Sequence, residues 1–482
     1  MLNKLECSTN IKHEYCCTIV RIGECFPIEG ADRIQRTVVN GLDLIVSKTV
    51  KEGDIMIYAA NETELNKDFL SVNNLYNIDH YMLNKDYFEI GQLLKTNPEE
   101  AKKLCGFFTA KRRVRILKLK GIYSFGFLFP IEFLINWDHR LADFVFENNI
   151  GKDFDLVNGE LFVKPYIPDN VKTYTNQSKV SKDHKLNRLV DDSNFKFHYE
   201  TQQLQRNINK IKPIDTVAIT IQIHGTSAIF GKVMCKIPKK LSIFARTWNK
   251  VVNTLKLPRF LITNWELGQD TICASRTRIK NSYIDIVENK IIQPNDLWTK
   301  YHDLLAPYLS ENMIVYGEIF GYSQPNKFIQ KQYDYNLPSN ESRFMPYRIV
   351  TMDAHGTPRE WRVKEVHRWA IHMMELYPEL RNVLYPIQIL YYGKLTDLYP
   401  EVKNDLKWNE NILECLKSDK KFGLEQNEPL CKNKVPRKGI CIRIDNDPIN
   451  QTFKLKSSKF LDRESKAIDN NEVDIEMQET CN

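Results

Sequence analysis

Short alternations of apolar and polar residues fill the first 165 positions. From Tyr15 onward CCTIVRI, RTVVNG, LDLIVS and DIMIYAA are β-branched or aromatic runs, separated by the turn-forming EGAD at Glu29 to Asp32 and KEGD at Lys51 to Asp54. RRVRILKLKG and FGFLFPIEFL continue the strand-like pattern. Many short strands with little helix between them predict a small barrel or sandwich. From about Asp169 to Asn209 the text turns polar, which predicts a connector with a helical second half. From Val217 to about Asp469 strand-like segments (VAITIQIHG, MIVYGEIFG, YRIVTMDAHG, GICIRIDN, TFKLK) alternate with helical ones at Leu297 to Ala306 and Val363 to Leu376. In the second helix Val366, Trp369, Ala370 and Met373 share a face. This order predicts an α+β domain built on antiparallel sheets.

Composition adds limits. A chain of 482 residues is long enough for two or three domains, each with its own core. No stretch approaches the roughly 18 apolar residues of a membrane span, and the N-terminus lacks the apolar segment of a secretory signal. An intracellular, cytoplasmic protein without a membrane partner is expected. The 11 cysteines include no CxxC pair, and the adjacent Cys16 and Cys17 would face opposite ways on a strand. Reduced thiols are therefore expected, with no disulfide framework, no zinc site and no metal ligands.

The net charge of +7 matters less than its distribution. Lys102-Lys103 and the run from Ala110 to Lys120, with Arg112, Arg113, Arg115, Lys118 and Lys120, are cationic without an acid, and Lys236 to Lys250 forms a second basic stretch. Such runs either neutralise phosphates or form a solvated face. The segment after Asp469 is acidic.

Three strands are candidates for chemistry. In Thr216 to His224 the apolar Val217, Ile219, Ile221 and Ile223 face one way, so Ala218, Thr220, Gln222 and His224 face the other. Gly225 follows, a feature of cleft rims and of ordinary hairpins alike. Glu318, in IVYGEIFG, sits among apolar residues, where a carboxylate requires either a buried arginine or a ligand's hydroxyls. In Phe453-Lys454-Leu455-Lys456 the two lysines share a face, which suits a phosphate or an exposed edge.

Taken in order, these segments resemble the motifs of the covalent nucleotidyltransferases. IHGTSAIFG looks like motif I, in which RNA ligases often read K-x-H-G-T-S. SRTRIKN at Ser275 to Asn281 resembles the following arginine motif, VYGEIFGY motif III, MPYRIVTMDAHG motif IIIa, RKGICIR motif IV, and FKLKSSKFLDRESKAID motif V. The N-terminal region, with GADRI and VKEGDIMIYAANETEL, is similar to the OB domain of the ATP-dependent RNA ligases in which that domain comes first. The resemblance implies an OB-type β-barrel at 1–168, a connector at 169–209, a nucleotidyltransferase domain (ATP-grasp-like, antiparallel-sheet) at 210–470 and an acidic tail at 471–482. It further implies ATP, with Mg2+ or Mn2+ if the chain is active, and nicked or broken RNA as partner. Glu318 would hold the ribose, Lys454 and Lys456 the α-phosphate, and Arg276 the nucleotide or RNA phosphate. His224, Gly225 and Lys438 would line the site. Tyr347 or Phe344 would stack on adenine, and the basic run at Arg112 to Lys120 would hold RNA.

Two positions depart from the family pattern. Gln222 stands where the nucleophilic lysine forms lysyl-AMP, and a carboxamide cannot form that phosphoramidate. Lys438 replaces the motif IV glutamate that supports the metal ion, reversing the local charge. Impaired adenylylation follows, with binding of nucleotide and RNA ends in place of sealing. The alternatives are a ligase with another nucleophile or an active partner, and a non-catalytic RNA-binding or structural subunit.

Overall fold

The computed structural model describes residues 4–9, 11–168, 189–190, 195–199, 201–238, 242–255, 265–276, 278–280, 283–285, 290–292, 296–353, 356–445, 451–470 and 472. The acidic tail, apart from Glu472, and most of the connector lie outside them. The chain divides into two compact units: Met1–Pro168 with Leu461–Asn471, and Asp169–Phe460 with Glu472–Asn482.

In the first unit the alternating runs become strands. β1 (Cys17–Arg21), β2 (Ile34–Val39), β3 (Leu42–Ser47) and β4 (Ile55–Ala59) coincide with the periodic segments. β4 pairs antiparallel with both β1 and β5 (Phe127–Pro130), and β1 also pairs with β6 (Asp153–Phe154). β2 and β3 belong to a separate three-stranded sheet with Cys25–Pro27. Further two- and three-stranded ladders complete the unit, so among the described residues its strands form several antiparallel sheets rather than one closed ring. Phe69, Phe129, Phe154 and Phe162 pack ring against ring at its centre. Each fully buried phenylalanine contributes roughly 1.5–3 kcal/mol of hydrophobic stabilisation.

Two expectations need correcting here. FGFLFPIEFL is a strand only as far as Pro130, and Ile131–Trp137 is a helix. Pro130 has no N–H to continue a ladder, and its φ of −68° suits the position before a first helical turn. The stretch from Lys67 to Lys103 also holds three α-helices and a 3-10 helix, so helix is less scarce than the strand count implied.

The second unit is built on two sheets. One carries β7 (Thr216–Gln222), β13 (Ile389–Lys394), β14 (Gly439–Ile444) and β15 (Thr452–Lys456), with Thr201–Gln203 added in parallel. The other carries β8 (Thr226–Pro238), β9 (Trp265–Ala274), β10 (Met313–Gln324), β11 (Ser342–Met352) and β12 (Pro358–Glu360). The turn between β7 and β8 joins the two sheets. The expected helices form at Leu297–Leu305 and Val363–Leu376, and Val366, Ala370 and Met373 are buried. The apolar row expected at Val217, Ile219, Ile221 and Ile223 holds only for its first half, since Ile221 and Ile223 pack with Ala218 in a second core where the chain leaves the sheet. Val217, Ile219, Ile440, Ile442, Phe453 and Leu455 share one core, which leaves the alternate residues of β7, β14 and β15 for the opposite face.

Candidate functional site

Strand register assembles the site. Across β7, β14 and β15 the paired rows are Gln222–Gly439–Lys456, Thr220–Cys441–Lys454 and Ala218–Arg443–Thr452. Residues paired across a sheet, and residues two apart, point to the same side. Gln222, Lys454 and Lys456 are thus brought together, although more than 200 residues separate them in sequence. Both lysines are half-buried, and β15 is an inner strand because Gln203 pairs with Lys454 on its far side. The exposed-edge reading of these lysines is thereby set aside.

The middle row position must be glycine. A Cβ on Gly439 would run into the carbonyl oxygen of Leu455, stand 2.9 Å from the Lys456 Cα and 3.0 Å from Gln222 Oε1. Without that Cβ, the Gln222 side chain lies over the row. Its Oε1 is buried and accepts no hydrogen bond among the described residues. An unsatisfied buried acceptor costs about 1–3 kcal/mol, a cost that a ligand's donor removes.

The facing groups come from β10, β11 and the start of β14. Cys441 is half-buried and feels, in order, the charges of Lys438, Lys454, Glu318 and Arg348. Burial pushes its thiol up to about 11, against the pull of the two lysines, so it stays neutral near pH 7. Glu318 pairs in register with Ser227 and Met345. Tyr347 meets Glu318, Arg348, Ser227 and Arg276, and burial with the Glu318 charge pushes its phenol up to about 12. Its ring is partly exposed, whereas Phe344 is fully buried edge-on to Phe230. Of the two aromatics, only Tyr347 can offer a face to a ligand. Arg276 contacts His198 at 3.3 Å, and its motif is described only in part, since Thr277 and Asn281 lie outside the described residues.

The turn after β7 is held closely. The His224 N–H donates to the Tyr335 hydroxyl at 2.6 Å, and that hydroxyl donates to the His224 carbonyl at 3.1 Å. The His224 ring packs edge-on to Tyr333 and Phe460, each with centroids 4.9 Å away, which makes it a wall of the site. Gly225 lies so near β10 that a Cβ would strike the Ile319 carbonyl oxygen.

Sequence reading missed the ionic network beneath this face. Arg348 bonds Glu360 at 2.8 Å and the Thr452 hydroxyl at 2.9 Å, while Arg443 meets Glu360 at 3.0 Å and Asp445 at 2.9 Å. Asp445 also accepts from the Val363 N–H at the helix start. All four charged side chains are at most 9% exposed. Two arginines against two carboxylates make the network neutral, so it holds β11, β14 and β15 without adding charge to the site. The terminal arginine of RKGICIR and the arginine of MPYRIV were the available signals.

The basic run of the first unit divides by burial. Arg113 is 1% exposed and pairs with Glu62 and Asp469, with Ser465 as a further acceptor, so it is a structural cation and not a displayed one. Arg112 pairs with Glu64, and Arg115 lies 3.9 Å from Asp469. Lys118 and Lys120 are exposed, Lys118 over the Tyr123 ring at 4.6 Å.

No protein-family model matches the chain, and no curated protein matches it. Among solved structures it is similar to the RNA ligase of Naegleria gruberi. One mutant, with AMP and Mn, aligns at a TM-score of 0.51 and 16% identity, covering 93% of this chain and 98% of that one. A second mutant, with ATP and Mn, gives the same values. The ligase with PPi aligns at 0.50 and 16% identity over 94% and 99%. At that identity the likeness is one of fold, and over nearly its whole length the chain has an RNA ligase-like fold.

Proposed function

We propose that this protein binds an adenine nucleotide and RNA ends on its ligase-like scaffold and is impaired in self-adenylylation. The observation that carries this reading is Gln222 at the end of β7, its Oε1 buried over the Gly439–Lys456 row. Lysyl-AMP formation needs an amine whose lone pair attacks the α-phosphorus as pyrophosphate leaves. The nitrogen of a carboxamide has that lone pair delocalised into its carbonyl, so Gln222 can orient a phosphate or ribose group but not attack. The remaining groups suit binding. Lys438, Lys454 and Lys456 set three ammonium groups against the single carboxylate of Glu318, which favours a polyanion. Tyr347 offers the aromatic face for adenine, and Arg276 a guanidinium for phosphate.

The same charges fit poorly to a divalent ion at the motif IV position, where Lys438 supplies an ammonium in place of an oxygen ligand. Mg2+ or Mn2+ would serve the ligating chemistry, and nucleotide binding here relies on Lys438 instead. In the first unit, read as the OB-type RNA-binding domain, Arg112, Arg115, Lys118 and Lys120 are the phosphate contacts. Equilibrium titration with ATP tests the binding half of the reading. Affinity should be within about threefold with magnesium or EDTA present, and should fall at least tenfold in Lys454→Ala/Lys456→Ala while the melting temperature is kept. Unchanged affinity in that variant would favour the structural-subunit reading.

A further inference from the structure

The segment that precedes β1 brings together three metal-ligating side chains whose spacing matches no common zinc motif. Cys7, His13 and Cys16 each offer a ligand atom, and the three atoms lie within 4.8 Å of one another. Among the described residues no other cysteine and histidine side chains gather in this way. We propose that this cluster is a zinc-type metal site, with Cys7, His13 and Cys16 as ligands and the fourth position open to water.

The sulfur geometry supports an ion over a disulfide. Cys7 Sγ and Cys16 Sγ are 4.0 Å apart. Two thiolates on a tetrahedral zinc, with Zn–S bonds of about 2.3 Å, stand roughly 3.8 Å apart. A disulfide needs about 2.05 Å, close to half the observed separation. Two soft thiolates with one imidazole select zinc among the common cellular divalent ions, whereas magnesium and calcium require oxygen ligands.

The surroundings hold the ligands in place. Asp153 contacts His13 Nδ1 at 3.0 Å, the carboxylate–imidazole pairing that orients metal-bound histidines. That carboxylate also accepts from the Thr18 hydroxyl. The Cys7 thiol donates to the Asp153 carbonyl at 3.2 Å in the metal-free chain, a bond given up when the thiol loses its proton to the ion. Next along, buried Asp155 accepts from both the N–H and the hydroxyl of Ser8 at 2.6 Å, fixing the residue after Cys7 to the sheet. His13 and Cys7 are exposed while Cys16 is buried, so an ion can enter from the surface without unfolding the loop. Binding of one divalent ion releases the two thiol protons to solvent and leaves a neutral Cys2His centre.

The 482-residue chain, expressed with zinc and freed of loosely held metal, should carry close to one zinc per chain by elemental analysis. Replacement by cobalt should give a thiolate-to-cobalt charge-transfer band and tetrahedral d–d absorption. Both should vanish in Cys7→Ser/Cys16→Ser and persist in Cys25→Ser/Cys431→Ser. His13→Ala, a change at a 75%-exposed side chain, should keep the melting temperature of the wild type and weaken cobalt binding at least tenfold. Metal-free wild-type protein, full retention of metal in the double serine variant or in His13→Ala, or a Cys7–Cys16 disulfide in freshly isolated unreduced protein would each overturn the proposal.

Discussion

Gln222 concentrates the chemical question in one side chain. Strand periodicity was enough to place it on the same face as Lys454 and Lys456, because alternate residues of paired strands must face alike. What periodicity could not supply is that Gly439 lies between them and leaves room for the glutamine to cover the row. Nor could it reveal that Arg113 is buried, since its partners Glu62 and Asp469 lie 51 and 356 residues away. Restoring the missing amine tests the division of labour. Gln222→Lys alone should yield only trace adenylate, because Lys438 still repels a divalent ion. Gln222→Lys/Lys438→Glu should raise denaturation-resistant labelling from ATP at least tenfold above the single variant.

Among the elements, the strands and the helix at Val363–Leu376 were legible because a period of 2.0 or 3.6 is written into the apolar positions. The helix at Ile131–Trp137 was not, since a short apolar run fits either period and only the proline at its start decides. The ionic network of Arg348, Glu360, Arg443 and Asp445 also escaped, because charges read as solvent-facing until the sheet is assembled. Its removal should be costly. Glu360→Ala strands the buried Arg348 guanidinium and leaves Arg443 with Asp445 alone, and it is expected to destabilise the second unit by about 3–5 kcal/mol, read as a lower denaturant midpoint. Gly439→Ala should cost about 1–3 kcal/mol by overpacking and should also weaken nucleotide binding. Loss of stability with undiminished binding would separate the glycine from the site.

At the scale of the whole molecule, sequence order suggested a first domain complete by residue 168, yet Leu461–Asn471 groups with that unit. Ser465 and Asp469 supply acceptors to Arg113, a closure that a linear reading has no means to see. A chain truncated after Phe460 should therefore lose about 1–3 kcal/mol in the first unit, visible as faster amide exchange in β1 and β4. The cysteine–histidine cluster at Cys7, His13 and Cys16 was hidden for a related reason: its five- and two-residue gaps follow no common zinc spacing, and a turn brings the residues together. The central claim is a ligase-like fold that binds nucleotide without taking it onto a lysine. Incubation of the purified protein with ATP labelled on the α-phosphate, plus magnesium or manganese, tests it most directly. The expected result is saturable binding with no label surviving denaturation; a covalent adenylate on the unmodified chain would contradict it.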